Sequence, residues 1–201
     1  MKARVAVLLL LFLPGVIALT RPCWSQTKYT LSSTAAAAAS AERKLQYLRR
    51  NGALAHPDPV PTEFTEEEIN AYFASGNIAL PVGVQSARFQ EQPGVVVGTS
   101  RVDFDQIKAG SNSYNPLLSV FSGLHDVVVS AHVNGANGQG LVHVDSVSID
   151  GVDVPRFVLE LFVEKYLKPK YPTIGIDSEL ALPARVETAT VGLHKVTLTQ
   201  K

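Results

Sequence analysis

From Val82 onward, hydrophobic and polar residues alternate with period two, and the alternation restarts after each turn. Val82 to Gln90 and Val95 to Phe104 read as two strands around Gln92-Pro93-Gly94, which has Pro and Gly where a type II turn wants them. Val127 to Asn134 and Gly140 to Ile149 read as two more around Asn137-Gly138, a strong hairpin signal. If those two residues form the turn, His132 faces His143, Ser130 faces Asp145, Ala131 faces Val144 and Val133 faces Val142. Val127, Val129, Ala131, Val133, Val142 and Val144 then share one face, while Ser130, His132, His143 and Asp145 share the other. A register that separates apolar from polar so cleanly supports itself. The tail adds strand-like stretches around 174–176, 185–191 and 195–199.

Elsewhere the pattern is helical. Ser33 to Arg50 contains five consecutive alanines and long straight side chains, good helix formers, with Asn51-Gly52 as a stop. Its apolar face is thin, so it reads as a peripheral helix or spacer. Three prolines in 57–61 then predict an extended, stiff link, and the folded body is expected to start near Thr62. Thr65-Glu66-Glu67-Glu68 is a capping box opening a second, shorter amphipathic helix with Ile69, Tyr72 and Phe73 along one stripe. Asn115-Pro116 predicts the start of a short helix running to Gly123. Asp150-Gly151 marks another turn, and Pro155 to Lys168 predicts one long helix that is apolar almost all round. Its charges fall at four-residue steps (Arg156, Glu160, Glu164, Lys168) and form a narrow stripe. Such a helix has to be covered on nearly every side. Pro169 and Pro172 stop it.

The chain starts with a basic n-region, Met1-Lys2-Ala3-Arg4, and an apolar block from Val5 to Leu19 broken by Pro14. A spanning helix needs about 20 apolar residues, so 1–25 reads as a cleaved secretory signal. Cleavage after Ala18 or after Ser25 fits, and an uncleaved anchor is the alternative. The expected location is the periplasm or cell envelope of a bacterium, because Cys23 is the only cysteine and a mature chain without it has no disulfide. Thr20-Arg21-Pro22 ahead of Cys23 argues against lipidation. The 18 basic and 18 acidic residues become a formal −3 once Lys2, Arg4 and Arg21 are removed. That balance argues against nucleic acid and against electrostatic docking on anionic lipid.

Chemistry is sparse. No metalloprotease motif, phosphate-binding glycine loop, nucleophile elbow or cysteine cluster occurs. His132, His143 and Asp145 could face one divalent ion, but the solvated side of a hairpin is the plainer reading, and no metal or cofactor is expected. Glu66, Glu67 and Glu68 could act as general acid and base, yet acidic residues in a first helical turn ordinarily serve the dipole. His125-Asp126 could begin a triad, but no serine is marked as its nucleophile. No enzymatic activity is expected.

Two segments resemble a known group. Phe64-Thr65-Glu66-Glu67-Glu68-Ile69-Asn70-Ala71-Tyr72-Phe73, and Val147-Ser148-Ile149-Asp150-Gly151-Val152-Asp153-Val154-Pro155 with its following helix, are similar to LmeA-like and YpmS-like exported bacterial proteins of the tubular lipid-binding type. The resemblance spans roughly Thr62 to Thr199 and implies a long antiparallel sheet wrapping a helix around an apolar channel. It brings no catalytic residue. The expectation is therefore an α+β protein: a curved, mostly antiparallel sheet wrapping one long apolar helix, with a second shorter amphipathic helix. It is organised as a signal peptide (1–25), an Ala-rich helix and Pro-rich spacer (26–61) and a lipid-binding-like domain (62–201). A phospholipid or other acyl-chain ligand would touch Val127, Val129, Val144, Phe157, Val158, Leu161 and Phe162. The alternative is a non-catalytic envelope scaffold with a solid core, meeting a protein partner through 33–50.

Overall fold

The computed structural model describes residues 33–109 and 116–201; the signal-peptide reading and the Asn115 cap lie outside them. Among the described residues, nine strands form one open, curved antiparallel sheet: β1 (Thr62–Thr65), β2 (Val84–Gln92), β3 (Val95–Asp103), β4 (Leu124–Ala136), β5 (Gln139–Ile149), β6 (Val152–Asp153), β7 (Asp177–Ala181), β8 (Val186–Gly192) and β9 (Lys195–Gln200). The main path runs β1-β9-β8-β4-β3-β2, and β5 leaves β4 to pair with β6 and β7. The α-helices of the described residues are α1 (Ser33–Gly52), α2 (Glu66–Ala74), α3 (Phe104–Lys108) and α4 (Arg156–Phe162).

The expected turns form where their chemistry places them. Pro93-Gly94 closes β2 on β3 with Gly94 at φ 75°, and Asn137-Gly138 closes β4 on β5 with φ 55° and 73°, the mirror-image turn that suits the strand twist. The β4–β5 register holds at Ala131–Val144, His132–His143 and Val133–Val142. It then slips: Ser130 faces Ser146, not Asp145, because a bulge lies between Ser130 and Ala131. The bulge keeps Val147 and Ile149 on the apolar side, where strict alternation from Val142 and Val144 would have put serines. Where β4 meets β8, Gly135 lies so close to Ala189 that an added Cβ would sit 2.5 Å from that residue's own, so only glycine permits the crossing.

The apolar face carries two clusters. The first gathers Phe64, Phe89, Val96, Val186, Val191 and Leu198 from the strands under Ile69, Tyr72 and Phe73 of α2 and Ala41, Leu45 and Leu48 of α1. Helix α1 is thus part of the core, correcting its expected role as a peripheral helix or spacer. Its small residues do not supply much buried area themselves; they let α2 and the sheet come close. Gly52 serves the same end: it is the last residue of α1, where the stop was expected, and it packs where a Cβ would lie 2.2 Å from the Ala184 carbonyl oxygen. The proline-rich link is tied down by Asn51, whose amide accepts from Asp58 N–H and donates to the Asp58 carbonyl, both at 2.8 Å. Buried Gln200 completes this node, accepting from Asn51 Nδ2 and donating to the carbonyls of Leu48 and Ala184.

Buried Glu68 joins α1 to α2. Its carboxylate accepts from Lys44 Nζ and Ser40 Oγ, each at 2.6 Å, and from Thr65 N–H at 2.9 Å, while Glu68 N–H donates to Thr65 Oγ1. Burial pushes its pKa up, but these donors outweigh burial and hold it below the ordinary carboxylate range. Asn70, two residues on, pairs with both backbone groups of Phe89 at 2.7 Å and so pins α2 to the edge strand β2.

Because the folded pKa of Glu68 is depressed, its contribution is present above the unfolded value of 4.5 and is lost as pH falls below it. Glu68→Gln is expected to cost about 1.5–3 kcal/mol at pH 7, and the difference from wild type should shrink steadily as pH falls below 4.5 through the depressed folded value, measured by thermal denaturation followed by circular dichroism.

Candidate functional site

The second cluster lies at the other end of the same face. Val102, Val127, Val147 and Ile149 form its floor, and Phe104, Phe121, Val158, Phe162 and Tyr166 cover it. Phe162 stacks on Phe121 with ring centroids 4.1 Å apart, Phe104 meets both edge-on, and Tyr166 lies 5.3 Å from Phe162. The 3-10 turn Pro116–Leu118 packs on α4.

The expected long apolar helix is not present. Helix α4 runs only from Arg156 to Phe162, and Val163–Leu167 is a π-helical turn in which Lys168 N–H donates to the Val163 carbonyl five residues back. Pro169 follows directly and has no N–H with which to continue the ladder. The wider turn lets Phe162, Val163 and Tyr166 all face inward.

Of the seven residues expected to touch a ligand, five gather in this cluster. Val127, Val158 and Phe162 are buried in it, and Val129 and Val144 are half-buried against it. Phe157 and Leu161 instead lie on the opposite side of α4, 56% and 40% exposed. Helical spacing explains the split, since 158 and 162 share one face and 157 and 161 share another. Leu117 (55% exposed), in the 3-10 turn that packs on α4, and Val120 (41%), just after it, are exposed as well.

The polar candidates resolve into separate pairs. His132 Nδ1 donates to Asp145 at 2.7 Å from the bulge, while His143 Nδ1 donates to Asp177, which also faces Arg156. Among the described residues no three His, Cys, Asp or Glu side chains are placed to hold a metal ion. His125 donates from Nδ1 to Asp150 at 2.5 Å and from Nε2 to the Ser122 carbonyl at 2.6 Å. The Asp150 bond first, then the Ser122 bond, raise its pKa. With both nitrogens donating, His125 is an imidazolium with no lone pair to act as a base. The three glutamates of the first α2 turn part ways: Glu68 is the interhelical tie, Glu67 is exposed, and Glu66 accepts from His194 Nδ1 at 2.6 Å.

Sequence reasoning missed Phe121 and Phe104 as cluster members, and it missed buried Glu91. The last had a signal: Ala87 and Phe89 face the core, so continuing β2 by one alternation puts Glu91 there too. No helix among the described residues is long and apolar enough to cross a membrane. No protein-family model, curated protein or solved structure matches the chain.

Phe162→Ala is expected to cost about 3–5 kcal/mol, as for a large aromatic in a packed core, whereas Phe157→Ser on the outer side should change stability by less than about 0.5 kcal/mol. Urea denaturation of the two variants reads the difference; equal costs would contradict the inside–outside assignment of α4.

Proposed function

We propose that this is an exported, non-catalytic protein of the bacterial cell envelope that binds or transfers an apolar, phospholipid-like ligand. The observation that carries the reading is the exposure of Phe157 and Leu161 on a helix whose other side already fills a core cluster. This helix has more apolar surface than its own fold hides, and contiguous exposed apolar surface ordinarily marks an interaction site. Between the two clusters β3 presents Gly98 and Ser100, small side chains opposite Val129 and Val127, so the apolar face is thinnest there. A guest chain lying from this waist toward α4 would contact Val127, Val129, Val144, Val158 and Phe162 from one side, with Phe157 and Leu161 at the rim. The resemblance of Phe64–Phe73 and Val147–Pro155 to LmeA-like and YpmS-like proteins supports the same ligand class.

The magnitude is adequate for a long chain. Ten buried methylenes contribute about 8 kcal/mol, set against an association cost of several kcal/mol. Short acyl chains would bind weakly. The scaffold alternative would have to use the exposed, polar side of 33–50, because the apolar side of α1 is buried against α2 and the sheet.

The test is native mass spectrometry and lipid extraction on protein purified without detergent from a bacterial host. Bound phospholipid or fatty acid is expected, and the Phe157→Ser/Leu161→Ser pair should weaken uptake of a fluorescent fatty acid by about tenfold at unchanged melting temperature. A wild-type protein that carries no lipid and takes up no probe would overturn the proposal.

A further inference from the structure

One carboxyl group lies on the apolar face of the β2–β3 hairpin. Glu91 is 2% exposed, and its Oε2 has no hydrogen-bond partner among the described residues. An orphaned carboxyl oxygen is a costly thing to bury, and its surroundings suggest what offsets the cost.

Three elements meet at this point. The turn between β8 and β9 lies against the end of β2, with His194 N–H donating to the Glu91 carbonyl at 3.0 Å. The same turn accepts from the start of α2, Glu66 N–H reaching the His194 carbonyl at 2.9 Å. The side chains close the ring: His194 Nδ1 donates to Glu66 Oε2 at 2.6 Å, and the Glu66 carboxylate lies against that of Glu91. Gly94 N–H, at the tip of the hairpin, adds a 3.0 Å bond to the Val191 carbonyl. His194 is held at φ 53°, a left-handed conformation that a non-glycine residue keeps only where its contacts over-determine it. The charged groups acting on Glu91 are Glu66 from α2 and His194 from the turn; Lys195, the next residue, pairs with Glu63 of β1 at 3.1 Å instead.

We infer that this junction is a proton-controlled latch: a proton shared between the Glu91 and Glu66 carboxyls holds the β8–β9 turn and the start of α2 against the β2–β3 hairpin, and loss of that proton loosens them. With the proton present, Glu91 donates to Glu66, which also accepts from His194, and one negative charge is spread among three groups. Without it, two carboxylates face each other, the His194 imidazole bonding only that of Glu66, and the other is out of water. Burial first, then the charge of Glu66, push the Glu91 pKa from 4.5 up to about 7. A carboxyl raised in the folded state stabilises it fully below the unfolded value, and that contribution is lost as pH climbs through the raised one. The opening of the junction therefore grows by up to about tenfold per pH unit between pH 4.5 and about 7 and levels off above.

The test uses the whole chain labelled with ¹³C at the glutamate side-chain carboxyls. In an NMR titration Glu91 is expected to change charge near pH 7, and Glu66→Gln should move that midpoint downward. The amides of His194 and Glu66, corrected for base-catalysed exchange, should exchange up to about 50-fold faster at pH 7.5 than at pH 5, whereas Glu91→Gln, which has no proton to lose, should abolish the pH dependence. Titration of Glu91 near its ordinary value of 4.5, or the same exchange profile in Glu91→Gln and wild type, would overturn the latch. Should Glu91→Gln fail to fold, the wild-type titration alone still decides.

Discussion

A sheet with one apolar face must be covered, and here one continuous face is covered by two unequal lids. Strands β3 and β4 run beneath both: Val96 and Val133 belong to the first cluster, Val102 and Val127 to the second. Over the first, α1 and α2 lie together, joined by the Glu68 carboxylate and pinned to the edge strand by Asn70. Over the second, among the described residues, lie α4 with its π-helical turn, α3 and a 3-10 turn, held mainly by aromatic packing around Phe162. Burial of apolar area stabilises both ends. Directed hydrogen bonds tie down the first lid, and the second ends in solvent-exposed phenylalanine and leucine. That asymmetry is the physical basis for placing a guest molecule at α4.

The two buried glutamates near the start of α2 show how local surroundings decide the use of one residue type. Glu68 has three donors from two elements and is stabilised as an anion; Glu91 has a second carboxylate as its neighbour and is stabilised as an acid. Their pH dependences have opposite sign. Acid weakens the tie between α1 and α2, and neutral pH weakens the junction between α2, the β8–β9 turn and the β2–β3 hairpin. Thr65 connects them, capping the helix whose first residue belongs to one system and whose third belongs to the other.

Much of this was legible in the chain. The turns at Pro93-Gly94, Asn137-Gly138 and Asp150-Gly151 and the capping box at Thr65 are fixed by local chemistry, which a sequence carries in full. Less legible were the features that depend on distant partners. The bulge at Asp145 appears only as a change in parity, Val142 and Val144 giving way to Val147 and Ile149, and a pure alternation hides it. The burial of α1 depends on alanines that contribute shape more than area, so a thin apolar face looked peripheral. Strand β1 is four residues long, and only Phe64, 1% exposed, marks it as part of the core. Periodicity could not separate the expected α-helix of Pro155 to Lys168 from a short helix followed by a π-helical turn, nor show that Phe157 and Leu161 lie on the exposed side of α4, opposite buried Val158 and Phe162. The Glu91 junction joins residues up to 128 positions apart, such as Glu66 and His194, and no local pattern encodes it.

The central claim is that the two lids differ in how readily they open. Native-state hydrogen exchange across a series of low denaturant concentrations measures this directly. Amides of α4 and its π-helical turn should exchange through a local opening that is nearly independent of denaturant, while those of α1 and of α2 beyond its first turn exchange only with global unfolding. If α4 were protected to the same level and with the same denaturant dependence as α1, the second lid would be as firmly closed as the first, and the account would be wrong.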